Sequence, residues 1–160
     1  MLSVQILCVG KLKEKFYSDA VSEYVKRLSG YCKLTLTELA EERLPDSPSQ
    51  AQIDAAIQRE GESVLSKLPK GAMVVALCVE GRLVSSEDLA GRLSDWMLTG
   101  RSQVAFVIGG SHGLSPAVKQ RAALRLSMSP MTFPHHLARV MLLEQVYRAF
   151  KILEGSNYHK

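Results

Sequence analysis

Negative charge is missing from the middle of this 160-residue chain: no Asp or Glu occurs in the 48 residues from Trp96 to Leu143. Residues 1–95 carry 12 Lys/Arg against 14 Asp/Glu, a net −2, whereas residues 96–160 carry 8 against 2, a net +6. That asymmetry suits a phosphate-bearing partner at the C-terminal half, and it equally suits an ordinary solvated basic face. Long apolar runs are also missing. Nothing approaches the roughly 20 residues needed to span a bilayer. Met1 to Ile6 lacks a basic n-region and reads as a strand, so a cytoplasmic protein with no membrane partner is expected. Cysteine is scarce: Cys8, Cys32 and Cys78 are widely spaced with no C-x-x-C pair. They read as buried small hydrophobes, which argues against disulfides and against a metal site. Repeats and low-complexity tracts are absent too.

What remains is a chain 46% hydrophobic and 22% charged, the composition of a soluble globular protein. Its length suits one domain over residues 1–160, long enough to bury about 70% of its unfolded surface. Leu2 to Val9 is a β-rich run ended by Gly10. A basic loop, Lys11 to Lys15, leads into a helix with Phe16, Ala20, Tyr24 and Leu28 on one face. Lys33 to Leu39 alternates as a strand. Glu41 to Gln50 is polar, contains Pro45 and Pro48, and reads as a mobile loop. Ile53, Ile57, Val64 and Leu68 mark a second helix, interrupted near Gly61.

Met73 to Val79 and Val104 to Ile108 are continuous apolar runs, the pattern of strands buried on both faces of a parallel sheet. Ser85, with Asp88 three residues on, reads as a helix N-cap, and so does Ser115 followed by Pro116. Leu124 to Met128 is a short strand and His135 to Glu154 a long helix. Strands alternate with helices throughout. The expected fold is α/β, a mainly parallel sheet with helices on both faces.

Two loops inside the acid-free stretch can hold a ligand. Gly109-Gly110-Ser111-His112-Gly113 follows a buried strand, where parallel sheets bind ligands and where glycine admits them close to the backbone. Its spacing is not G-x-G-x-x-G, no acid follows to hold a ribose, and no G-K-[ST] is present, so neither a dinucleotide fingerprint nor a P-loop is supported. The plain alternative is a tight strand-to-helix turn. Ser127 to Pro134 brackets Met131-Thr132-Phe133 between two prolines. Its uncommitted backbone and its Met and Phe side chains suit an adenine, or equally a connecting loop turned into the core.

The long helix is apolar over more than half its circumference, which suits a symmetric dimer interface or a central core helix. The tail ends in Tyr158-His159-Lys160, which suits base stacking and phosphate contact, or fraying. His112, His135 and His136 have no carboxylate nearby in sequence to complete a triad or a metal site.

Together, Phe106-Val107-Ile108-Gly109-Gly110-Ser111-His112-Gly113-Leu114, Ser127 to His135, Arg139 to Phe150 and Tyr158-His159-Lys160 closely resemble the ribosomal RNA large subunit methyltransferase H family. Val9 to Lys15 and Tyr24 to Leu28 extend the resemblance along essentially the whole chain. It implies a SPOUT-type fold with a C-terminal trefoil knot, a homodimer, and S-adenosylmethionine as methyl donor. It implies methylation at N3 of a pseudouridine in 23S rRNA, within the large subunit or the assembled ribosome. Carried over by position, donor contacts fall at Leu77, Gly109, Met128, Ser129, Pro130, Met131, Thr132 and Phe133. His135 and His159 are candidates to accept the N3 proton. Arg139, Tyr158 and Lys160 are candidates to hold the RNA. The competing expectation is a non-catalytic rRNA-binding protein of the same fold, which would need no donor pocket.

Overall fold

A computed structural model describes all 160 residues. Its sheet has five strands: β1 (Ser3–Val9), β2 (Lys33–Leu39), β3 (Met73–Leu83), β4 (Gln103–Ile108) and β5 (Leu124–Ser127). They lie in the order β2-β1-β4-β3-β5, and every neighbouring pair is parallel. Five helices connect and follow them: α1 (Lys15–Leu28), α2 (Gln50–Lys67), α3 (Ser86–Leu98), α4 (Pro116–Arg121) and α5 (His135–Leu153). No helix is long and apolar enough to cross a membrane.

The apolar runs follow from burial on both faces. On β4, Val104, Phe106 and Ile108 face a core shared with α1, α3 and α5, while Ala105 and Val107 face a second core with α2 and α4. Phe106 is fully buried, and burial of such a side chain stabilises the fold by about 1.5–3 kcal/mol. The foreseen caps form. The Ser85 side chain accepts from the Asp88 N–H in a reciprocal capping box, and the Ser115 hydroxyl accepts from the Val118 N–H.

Four sequence expectations change. The α2 helix runs unbroken through Gly61, because that residue is a packing site rather than a stop. Phe16, placed on the inner face of α1 by spacing, is 64% exposed, because it sits in the first turn, where the helix projects beyond the core. The 41–50 connection is fastened at its start, where the Glu41 carboxylate accepts from the Ser111 N–H and the Glu42 N–H donates to the Glu60 carboxylate. Strand β3 continues to Leu83, beyond the end of its apolar run. Its ladder with β5 breaks between Leu77 and Arg82, so Leu126 pairs with both of those residues and Cys78 to Gly81 bulge out of register.

Candidate functional site

All strands point the same way, so the loops after them share one edge of the sheet. At the carboxyl ends of β3, β4 and β5 these loops enclose a cavity of about 710 Å³, within the range of small-molecule sites. Leu77 to Glu80 form one wall, from the β3 bulge. Ile108 to Leu114 form the second, and Leu126 to Ser129 with Met131 to His135 form the third. Of the positions expected to touch a donor, Leu77, Gly109, Met128, Ser129, Met131, Thr132 and Phe133 line this space, and Pro130 does not.

The geometry of the walls comes from local chemistry. Gly109 has no room for a side chain: a Cβ there would stand 2.7 Å from the Gly113 carbonyl carbon. The hairpin-like pairing of Gly110 with Gly113 depends on that close approach, and Gly113 itself has φ +88°. In the third wall, no backbone group from Met128 to Phe133 bonds to another backbone group. The loop is instead held by side chains. The Ser127 hydroxyl donates to the Ser129 carbonyl at 3.0 Å, and the Met131 N–H donates to Ser129 Oγ at 3.0 Å. The remaining amides and carbonyls are free for a ligand. Glu80 is the one carboxylate on the lining, and Lys119 pairs with it.

His135, the first residue of α5, also lines the cavity. Burial, then the neighbouring His136, push its imidazole below its ordinary value of 6.5, against the opposing pull of Glu41. At neutral pH it is an uncharged ring with a nitrogen able to accept a proton. His136 stacks edge-on to it at 4.2 Å and turns its Nδ1 to within 3.5 Å of Glu14.

The acid-free stretch is therefore answered from elsewhere in the chain. Glu14 reaches His136, Glu38 reaches Arg139, Glu41 reaches Ser111 and Glu80 reaches Lys119. Sequence reading missed these partners, because each acid lies 39 or more positions from the residue it meets and no local spacing points to it.

Arg139 differs most from expectation. Its side chain is 4% exposed, with Nη1 donating to Glu38 Oε2 at 2.6 Å and Nη2 donating to the Gly10 carbonyl at 3.1 Å. It ties the head of α5 to the ends of β1 and β2 and presents no guanidinium to solvent or RNA. The tail residues follow the far end of the same helix and pack back against it. The Tyr158 hydroxyl donates to Glu144 at 2.7 Å, and its ring packs against Tyr147 under Arg148. His159 sits between Arg148 and Glu87, while Lys160 is exposed. Within one chain none of the three reaches the cavity. No group of three or more His, Cys, Asp or Glu side chains converges in a way that could hold a metal ion.

The family described as predicted SPOUT methyltransferase matches residues 2–159. The ribosomal RNA large subunit methyltransferase H of Clostridium botulinum (strain Langeland) is 49% identical over 159 residues, covering 99% of this chain and 100% of that protein. The protein of the same name from Bacillus pumilus is 48% identical with the same coverage. Among solved structures, a probable methyltransferase from Bordetella pertussis Tohama I superposes with a TM-score of 0.55 at 16% identity, covering 93% of this chain and 96% of that one. That likeness carries the fold alone. The full-length matches identify the chain as a member of the SPOUT methyltransferase family, of the ribosomal RNA large subunit methyltransferase H group.

Proposed function

We propose that this chain transfers a methyl group from S-adenosylmethionine to large-subunit ribosomal RNA, at N3 of a pseudouridine in 23S rRNA. The observation that carries the reading is the cavity at the strand ends, where uncommitted backbone and apolar walls meet the neutral imidazole of His135. The residues present fit the donor. Leu77, Leu126 and Met128 offer apolar surface for an adenine, and the free amides and carbonyls of Met128 to Phe133 offer the hydrogen bonds that orient it. Gly109 lets the loop fold tightly back on itself at the edge of that space.

When bound, S-adenosylmethionine supplies a methyl group already activated on a sulfonium. The protein's part is then to align the acceptor and to take its proton. In this reading His135, on the cavity lining, accepts the N3 proton. The cavity carries no unpaired carboxylate to repel the imide anion that results.

The reading includes a homodimer. Leu137, Val140 and Met141 stay half-buried along α5 in the single chain, and Met131 at the cavity mouth is 72% exposed. A second copy covering this surface brings its Tyr158-His159-Lys160 tail toward the cavity, to hold RNA and to supply a second proton acceptor.

Calorimetry of the full chain with S-adenosylmethionine, followed by mass mapping of 23S rRNA from treated ribosomes, tests the proposal. Donor binding and one new methyl on a pseudouridine are expected. A folded chain that binds ribosomes but not the donor would replace the enzyme with a non-catalytic rRNA-binding protein. Normal methylation by a chain lacking residues 156–160 would remove the tail from the mechanism.

A further inference from the structure

We propose that Glu41, together with the Glu60–Gly61 step of α2, forms a brace that sets the shape of the Gly109–Ser115 loop and through it the donor cavity. The proposal rests on the donor reading above.

Glu41 arrives from the β2–α2 connection. Its Oε1 accepts from the Ser111 N–H at 3.0 Å and from the Ser111 hydroxyl at 2.7 Å. The same oxygen occupies the space over Gly110, where a Cβ would stand 2.9 Å from it. One carboxylate thus bears on two successive residues of the loop. Hydrogen bonds to an ionised acceptor are roughly twice as strong as neutral ones.

The connection is itself anchored to α2. The Glu42 N–H donates to Glu60 Oε2 at 2.8 Å, and the Glu42 carboxylate pairs with Arg59 at 3.3 Å. Glu60 is buried at 8% exposure, so this anchor is shielded from water. The next residue, Gly61, lets α2 close on the far end of the same loop. A Cβ there would overlap the Ser115 hydroxyl and lie 2.7 Å from the Ser115 Cβ. Ser115 caps α4, so its position fixes where the loop ends. Adjacent residues of one helix therefore bear on the loop at two points, at Ser115 directly and at Ser111 through Glu41. Glu41 does not line the cavity. It is a positioning residue that acts through Ser111.

The test compares wild type with Glu41→Ala, Glu41→Gln and Ser111→Ala, all checked by thermal melting. Two quantities are read: exchange of the Ser111 amide hydrogen in the free protein, and calorimetric Kd for S-adenosylmethionine and for S-adenosylhomocysteine, which lacks the sulfonium charge. Glu41→Ala is expected to speed Ser111 exchange and to weaken both ligands about tenfold, the size of one lost charge-assisted hydrogen bond. Glu41→Gln keeps an acceptor and should stay within about threefold of wild type. Ser111→Ala, which keeps its N–H, should fall between. Wild-type exchange and affinity in Glu41→Ala would overturn the brace. So would a loss confined to the cationic S-adenosylmethionine, because it would show Glu41 acting by charge on the ligand. If wild type binds neither ligand, the donor reading fails, and the exchange comparison still decides whether the brace exists.

Discussion

At the head of α5, His135, His136 and Arg139 meet Gly10, Glu14, Glu38 and Glu41; at its foot, Tyr147, Arg148 and Lys151 meet Tyr31, Glu154, Tyr158 and His159. Both ends combine imidazole, cation and carboxylate, yet their surroundings differ. The head takes its acids from distant strands and loops and buries its arginine. At the foot the helix end supplies two acids of its own, Glu144 and Glu154, one turn from Arg148 and Lys151. Glu87 reaches His159 from α3, and the two cations stay partly exposed, at 25% and 18%. A cation committed to a buried pair organises structure, and a partly exposed cation keeps a route to a partner. The residue type alone does not decide which role follows.

Substitutions at the two ends should separate them. The largest effect is expected from His135→Gln, which should lower methyl transfer about 100- to 10,000-fold while leaving donor affinity nearly unchanged. The imidazole lies below 6.5, so the rising limb it contributes to the pH–rate profile should fall below that pH and vanish in the variant. A variant that keeps both rate and limb moves the proton acceptor to the tail.

Next is Glu38→Ala, which leaves the Arg139 guanidinium buried with only the Gly10 carbonyl. It should cost about 3 kcal/mol of unfolding free energy in urea. Adding Arg139→Met should recover much of that loss, because the uncompensated charge is gone. Without such recovery, the pair would owe its importance to side-chain packing.

Acid should expose the same asymmetry. Burial raises the Glu38 carboxyl, but the bonds from Arg139 and the Leu12 N–H outweigh it and hold the group below its ordinary 4.5. Its contribution is present above about pH 4.5 and is lost as pH falls through the folded value. Wild type should therefore lose more stability than Glu38→Gln between pH 5 and acid, as melting curves would record. The smallest effect is expected at the foot: Arg148→Ala breaks a pair reachable by solvent and should cost under about 1 kcal/mol.

The sequence carried the parts of this molecule that are local. Val104 to Ile108 could be read as a two-faced strand because every residue in it is apolar, and Ser85 and Ser115 because a cap is a short-range device. The glycine and proline loops stand out for the same reason, and they prove to be walls of the cavity. Distant partners left no trace. Gly61 resembles a helix breaker until Ser115 is brought against it, and Arg139 resembles a free cation until Glu38 arrives across 101 positions. Residues 41–50 looked mobile because the groups that fasten Glu41 and Glu42 lie on the glycine loop and on α2.

The bulge in β3 has a consequence for how this site can diverge. Leu77 and Arg82 both pair with Leu126, so the four residues between them leave the ladder and the strand resumes as though they were absent. The cavity wall they build is insulated from the register of the sheet. Cys78, Val79 and Glu80 can be exchanged there without moving a core side chain to the wrong face, whereas Gly81 is held by the backbone of β5, where a Cβ would stand 2.7 Å from the Arg125 carbonyl oxygen. A change from Cys78 to Glu80 therefore reshapes the cavity while the pairing of β3 with β5 stays as it is.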